Sequence, residues 1–183
     1  FTLGQENGYL RVSGSGEEPW AGIEFYVSRY LAVPLEKIGA VEARLMLASD
    51  HSGGGVATQI KVFTTAGGDY RAAMCGNGTD EFENPSALCQ IQVRLEEYSI
   101  VGKRGIAYDE WHIFRIEVDA DKPEFFFFVD GELLGSLIPL DEVWRAPDTR
   151  FGITIWSGRN AGAFGTGYID DVFISSDRAA APP

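Results

Sequence analysis

Several groups of side chains in this chain are able to do chemistry. Glu117, Asp119 and Asp121 fall at every second position. On a strand that spacing lines acids along one face, and positioned carboxylates are the usual equipment of acid–base hydrolysis. Asp170 and Asp171 are adjacent hard-oxygen donors for a metal ion, but neighbouring strand residues point to opposite faces, so regular geometry presents only one of them. Trp156 precedes Ser157, Gly158, Arg159 and Asn160, which sets an indole able to stack on a sugar ring beside donors and acceptors for its hydroxyls. Cys75 and Cys89 are the only cysteines. A bridge between them would stabilise the fold by about 3 kcal/mol through the unfolded chain and would imply an oxidising compartment. The alternative is a pair of buried free thiols. With no histidine nearby they do not suit zinc. His51 and His112 lie far apart, and no nucleophile-elbow or phosphate-loop pattern occurs. Asn77-Gly78-Thr79 matches the glycosylation sequon.

Strands must position these residues, because helical periodicity is nearly absent. Asp130-Gly131 between apolar runs signals a two-residue hairpin turn, which needs positive φ at both central positions. Alternating or apolar segments predict strands at Tyr9–Val12, Trp20–Tyr26, Val41–Leu47, Val56–Phe63, Tyr70–Met74, Gln90–Leu95, Glu97–Val101, Trp111–Val118, Glu124–Val129, Glu132–Leu137, Phe151–Trp156 and Gly167–Ser175. The stretch from Cys75 to Cys89 is rich in Gly, Asn, Asp and Pro and reads as a loop, and Val33–Ile38 as a connection. Many short strands separated by turns indicate an all-β antiparallel sandwich. Phe125–Phe128 must present two rings to each face; one pair belongs in the core and the other needs cover from a loop, a neighbouring domain or a partner. Trp20 and Trp111 are assigned to the core.

At 183 residues the chain fits a single domain. Residues 1–176 are expected to form it and 177–183 a linker or tail, since SSDRAAAPP loses strand character. Phe1 without a preceding Met suggests a mature form or one module of a larger exported protein. The net charge of −12 argues against nucleic acid and against an anionic membrane surface, leaving solubility, cation binding or a neutral polar ligand. No apolar run approaches the roughly 18 residues of a membrane span, so no membrane insertion is expected.

The runs EWHIFRIEVDADKPEFFFFVDGELLGS, RFGITIWSG and GYIDDVFIS resemble the C-terminal half of concanavalin A-like jelly rolls, a superfamily of laminin G-like domains, legume-type lectins, carbohydrate-binding modules and family 16 β-glucanases. The resemblance implies a two-sheet antiparallel jelly-roll sandwich over roughly residues 110–175, with Val41–Leu47 matching more loosely. It specifies fold better than activity. The glucanases place a Glu-x-Asp-x-(x)-Glu triad on one strand, for a mechanism that needs carboxylates about 5 Å apart. Here the nearest string, Glu117 to Asp121, ends in Asp and follows the Trp111-His112 strand instead of preceding it, so it reads as a solvated turn. Members with a structural Ca²⁺ use a carboxylate on the last strand; that role would fall to Asp170, with Glu6 or a backbone oxygen near Gly4–Asn7 as partner.

The expected function is therefore a non-catalytic, lectin-like glycan-binding module, extracellular, periplasmic or at the cell surface, whose partner is an oligo- or polysaccharide. Its ligand-binding residues would be Trp156, Arg159 and Asn160, with Gln59, Gln90, Gln92, Arg94 and Arg44 on one open sheet face shared with Lys61, Glu42, Arg115 and Glu117. Tyr98 and Tyr108 are lesser stacking candidates. A laminin G-like adhesion module contacting protein and a glycoside hydrolase or lyase of the same fold are the alternatives.

Overall fold

The computed structural model describes residues 1–27, 31–80, 82–94, 97–139 and 141–177. The described strands are β1 (Thr2–Glu6), β2 (Tyr9–Ser15), β3 (Ala21–Tyr26), β4 (Ala40–Leu47), β5 (Val56–Thr64), β6 (Arg71–Thr79), β7 (Pro85–Arg94), β8 (Glu97–Gly105), β9 (Trp111–Asp119), β10 (Glu124–Val129), β11 (Glu132–Leu137), β12 (Gly152–Arg159) and β13 (Phe164–Ser175). They build a seven-stranded sheet, β1-β2-β13-β4-β9-β10-β11, against a six-stranded sheet, β3-β12-β5-β6-β7-β8. Every strand pair within the sheets is antiparallel. This is the all-β jelly-roll sandwich that the alternation implies.

Alternation decides what lies between the sheets. Val41, Ala43 and Leu45 of β4 and Phe114, Ile116 and Val118 of β9 meet Ile60 and Val62 of β5 and Ile153 and Ile155 of β12 in one core. Fully burying a side chain of this kind contributes about 1.5–3 kcal/mol. A one-residue slip of β9 would turn Arg115 and Glu117 into that core, so the register is strongly specified. Phe125 and Phe127 are wholly buried, while Phe126 and Phe128 are half-buried on the outer face, opposite Glu117 and Arg115 of β9. At one end Trp144 packs against Phe125 and Phe151, with ring centroids at 4.9 and 5.5 Å.

The Asp130-Gly131 turn has φ of 54° and 79°, the conformation that a two-residue hairpin requires. Three other expectations need correction. The Cys75–Cys89 stretch is mostly strand: Cys75 lies in β6, Cys89 in β7, and they are direct cross-strand partners joined by a disulfide. Trp20 is 48 % exposed rather than core. Trp111 lies on the outer face of the seven-stranded sheet, where it packs on Tyr9 and Tyr168 beneath the Arg44 guanidinium. Asn77 is 1 % exposed, so the sequon is closed to modification in the folded chain. Of the expected tail, all but Asp177 falls outside the described residues, as do Leu95 and the side chain of Arg94.

Candidate functional site

The outer face of the six-stranded sheet holds a groove of ≈ 720 Å³. Register lines its side chains up in rows. Glu24 (β3), Trp156 (β12), Gln59 (β5), Gly76 (β6) and Leu88 (β7) are successive partners. The adjacent row runs Tyr26, Thr154, Lys61, Met74 and Gln90. Along β5 every residue is buried, on the groove face as well as the core face, so this strand forms a floor below higher walls.

Trp156 lies in the middle of β12, not at a strand end. Its indole lies down over glycines: a Cβ on Gly22 would come 2.7 Å from the indole nitrogen, and one on Gly158 would collide with the ring. Trp20 stands 6.0 Å away, ring centroid to centroid, and the Lys61 ammonium lies 4.4 Å from the Trp156 centroid. Lys61 is only 8 % exposed. Burial pushes its pKa down from 10.5 to about 8, with the Glu24 carboxylate pulling the other way. That carboxylate is 4.0 Å off and already accepts hydrogen bonds from Thr154 Oγ1 and Tyr26. Among the described residues, neither the Lys61 ammonium nor the amides of Gln59, Gln90 and Gln92 have an intramolecular hydrogen-bond partner. The groove thus offers aromatic surface with unspent donors and acceptors around it.

At the far end Asp80 closes the turn between β6 and β7. Its carboxyl is held below the usual range, first by the Asn84 backbone N–H, also by Phe82 N–H and Lys103 and against a desolvation effect. Tyr98 lines the wall on β8, whereas Tyr108 is absent from the lining and stacks on His51 at 4.3 Å.

The expected ligand residues therefore divide. Trp156, Gln59, Gln90 and Gln92 come together in the groove. Arg159 does not join them: it is fully buried and spends its guanidinium on the carbonyls of Gly158, Gly165, Ala57 and Val12. Asn160 turns back to accept from Ala161 N–H. Arg44 is on the opposite sheet with Glu42, Arg115 and Glu117, where Arg115 bridges the two glutamates. Glu24 and Tyr70 are groove residues that pattern alone leaves unassigned, and Trp20 is one it assigns to the core, although Glu24 could have been found by its alternation with Ile23 and Phe25.

The carboxylates singled out for hydrolysis or calcium also lie elsewhere. Glu117 pairs with Arg115, and Asp119 accepts from Asp121 N–H in the turn after β9. A bulge after Asp170, with Asp171 at φ 45°, lets both acids reach one cation after all, but that cation is Arg44, at 3.7 and 3.1 Å. Glu6 is engaged by Arg11 at 3.3 Å and by the Tyr168 hydroxyl. These carboxylates are engaged by guanidinium groups, and among the described residues no group of three or more His, Cys, Asp or Glu is placed to hold a metal ion.

No protein-family model and no curated protein sequence matches this chain. Solved structures do match. Laminarinase from Flavobacterium sp. UMI-01 aligns with a TM-score of 0.63 at 15% identity, over 94% of this chain and 81% of that one. The potassium-bound carbohydrate recognition domain of Emp46p gives 0.67 at 9% identity, over 96% and 86%. The fold is that of the concanavalin A-like jelly rolls. The carbohydrate-binding module CBM66 from Bacillus subtilis matches with a TM-score of 0.54 at 8% identity, over 95% and 91%, so this fold serves enzymes and binding modules alike and the groove must decide between them.

Proposed function

We propose that this protein binds a polysaccharide chain in the groove of the six-stranded sheet without cleaving it, in an extracytoplasmic setting. The observation that carries the reading is the makeup of the groove: Trp156 and Trp20 at one end, amides along the floor, and, among the described residues, no second carboxylate facing Glu24. Sugar rings stack on indole, and paired amide donors and acceptors suit hydroxyls. From β12 to β8 the face crosses five strands, a span of about 19 Å at ~4.8 Å per strand, which is enough for several sugar units in a row. The neighbours that act on or bind carbohydrate support the ligand class, and the buried disulfide supports an oxidising compartment.

Hydrolysis is the second reading, favoured by Glu24 inside the groove. Its weakness is the missing partner. The groove-facing positions of β6 are Ala72, Met74, Gly76 and Gly78, and the other acid, Asp80, lies three strands from Glu24. That spacing is on the order of 14 Å sideways, beyond the roughly 5–9.5 Å over which two carboxylates cooperate.

Calorimetry against a panel of β-glucans and other plant and algal polysaccharides tests both readings. Binding by the native chain is expected, with Trp156→Ala weakening it by about two- to tenfold, as loss of a stacking aromatic of about 0.5–1.5 kcal/mol predicts, and no reducing ends released. Absence of any binding overturns the proposal. Release of reducing ends abolished by Glu24→Gln replaces it with the hydrolase reading.

A further inference from the structure

Lys61 makes the groove more selective than a neutral sugar site requires. Its ammonium sits in the floor beside the principal stacking ring, 8 % exposed and without a hydrogen bond among the described residues. Its one ionic neighbour, Glu24, stands at 4.0 Å with both carboxylate oxygens engaged by Thr154 and Tyr26. The faces of Trp156 at 4.4 Å and Tyr70 at 5.8 Å meet part of its charge, but an ammonium also has three N–H groups, and keeping them dry without an acceptor is costly. The lowered pKa of this lysine reflects the same cost. Uncommitted polar groups on the same face include the amides of Gln59 on the same strand and Gln90 in the same row, two strands away, both able to donate to an oxyanion. The groove is also spared the acidity of the rest of the chain. Among the described residues its lining carries Glu24 and Asp80 against Lys61 and Lys103, a balance of zero, while the whole protein stands at −12.

Resting on the groove being a glycan site, we infer that its ligand bears an anionic substituent, a uronate carboxylate or a sulfate ester, which seats against Lys61 next to the Trp156 ring. The two sources share one chemistry: a compact oxyanion on a pyranose that takes the ammonium and flanking amide donors together. Such a charge-assisted contact is formed only by the acidic member of an otherwise identical pair of glycans.

The test is calorimetry on the full chain with matched pairs, oligogalacturonate against its carboxyl-reduced form and a sulfated galactan oligosaccharide against its desulfated form. The acidic member of at least one pair is expected to bind about tenfold or more tightly than its neutral counterpart, as one charge-assisted hydrogen bond of 1.5–3 kcal/mol implies. Which pair shows the preference identifies carboxylate or sulfate. Lys61→Met keeps the apolar stem and should bring the ratio to near one; Lys61→Arg should retain a preference. Neutral members binding as tightly as acidic ones, or a preference that survives Lys61→Met in a chain that melts like the native one, overturns the inference and leaves the groove as a neutral glycan site. If no member of either pair binds and the wider panel is also silent, the inference and the proposed function both fall.

Discussion

At the scale of single residues, burial separates two cations that the sequence writes in similar ways. Arg159 and Lys61 both sit on strands of the six-stranded sheet. Arg159 faces the core and matches its N–H groups to carbonyls, so its desolvation is compensated, though burial still lowers its pKa to about 10. Lys61 faces the groove with no hydrogen-bond acceptor. Its lowered pKa has a consequence for stability. Between about pH 8 and 10.5 the unfolded chain holds the proton that the folded chain has released, so stability rises with pH across that window. The folded state carries the full penalty below it, of up to about 3 kcal/mol, and sheds it above. Denaturant unfolding of native protein and Lys61→Met at pH 7.5 and 10 should therefore show the variant's advantage shrinking at the higher pH. A difference that stays constant would show that Lys61 titrates normally. Trp156 was legible as an aromatic of the polar face because indole beside Ser, Arg and Asn is distinctive, and it does line the groove. Arg159 was misread because no local pattern reports which sheet face a strand-end arginine takes once glycine carbonyls open a place for it inside.

Among the elements, β6 and β7 show why composition misled at the middle of the chain. The string from Cys75 to Thr79 contains two glycines and an asparagine, residues with poor strand preference. Yet they pair along their length with β5 and β7. The glycine at Gly76 is needed for close packing: a Cβ there would come 2.5 Å from the Gln59 Cα. Strand identity is set by neighbours on both sides rather than by propensity. The disulfide locks this pair from the core side, directly beneath the groove. Replacing Cys75 and Cys89 with alanine should lower stability by about 2–4 kcal/mol in denaturant unfolding, and reductant should do the same to the native chain once unfolding exposes the bridge. Unchanged unfolding midpoints in both experiments would show that the bridge does not contribute. The Trp111-His112 strand and the Asp130-Gly131 hairpin were legible because their signals are local, an alternation of period two and a turn that demands positive φ.

For the molecule as a whole, strand alternation told inside from outside but not one outside from the other. Arg44, Gln59, Gln90, Gln92 and Arg115 all alternate with core residues, and all could be drawn on one polar face. The topology divides them, since β4 and β9 belong to the seven-stranded sheet and β5 and β7 to the six-stranded one, with the hydrophobic core between. The two outer faces are also chemically unlike. On the seven-stranded sheet the charges are paired off, Arg44 with Asp170 and Asp171 and Arg115 with Glu42 and Glu117, which leaves little for a ligand to claim. On the six-stranded sheet the amides and the Lys61 ammonium have no hydrogen-bond partner among the described residues. If that difference marks the binding face, Arg44→Ala should leave glycan affinity within about twofold of native and cost only about 0–1 kcal/mol of stability, as for a partly exposed ion pair. Gln59→Ala and Gln90→Ala should each weaken binding several-fold, about 0.5–1.5 kcal/mol for a lost hydrogen bond, with melting temperatures close to native. Titration of the three variants with the same glycan decides the matter: an affinity that falls with Arg44 and holds with both glutamines would move the site to the opposite face of the sandwich.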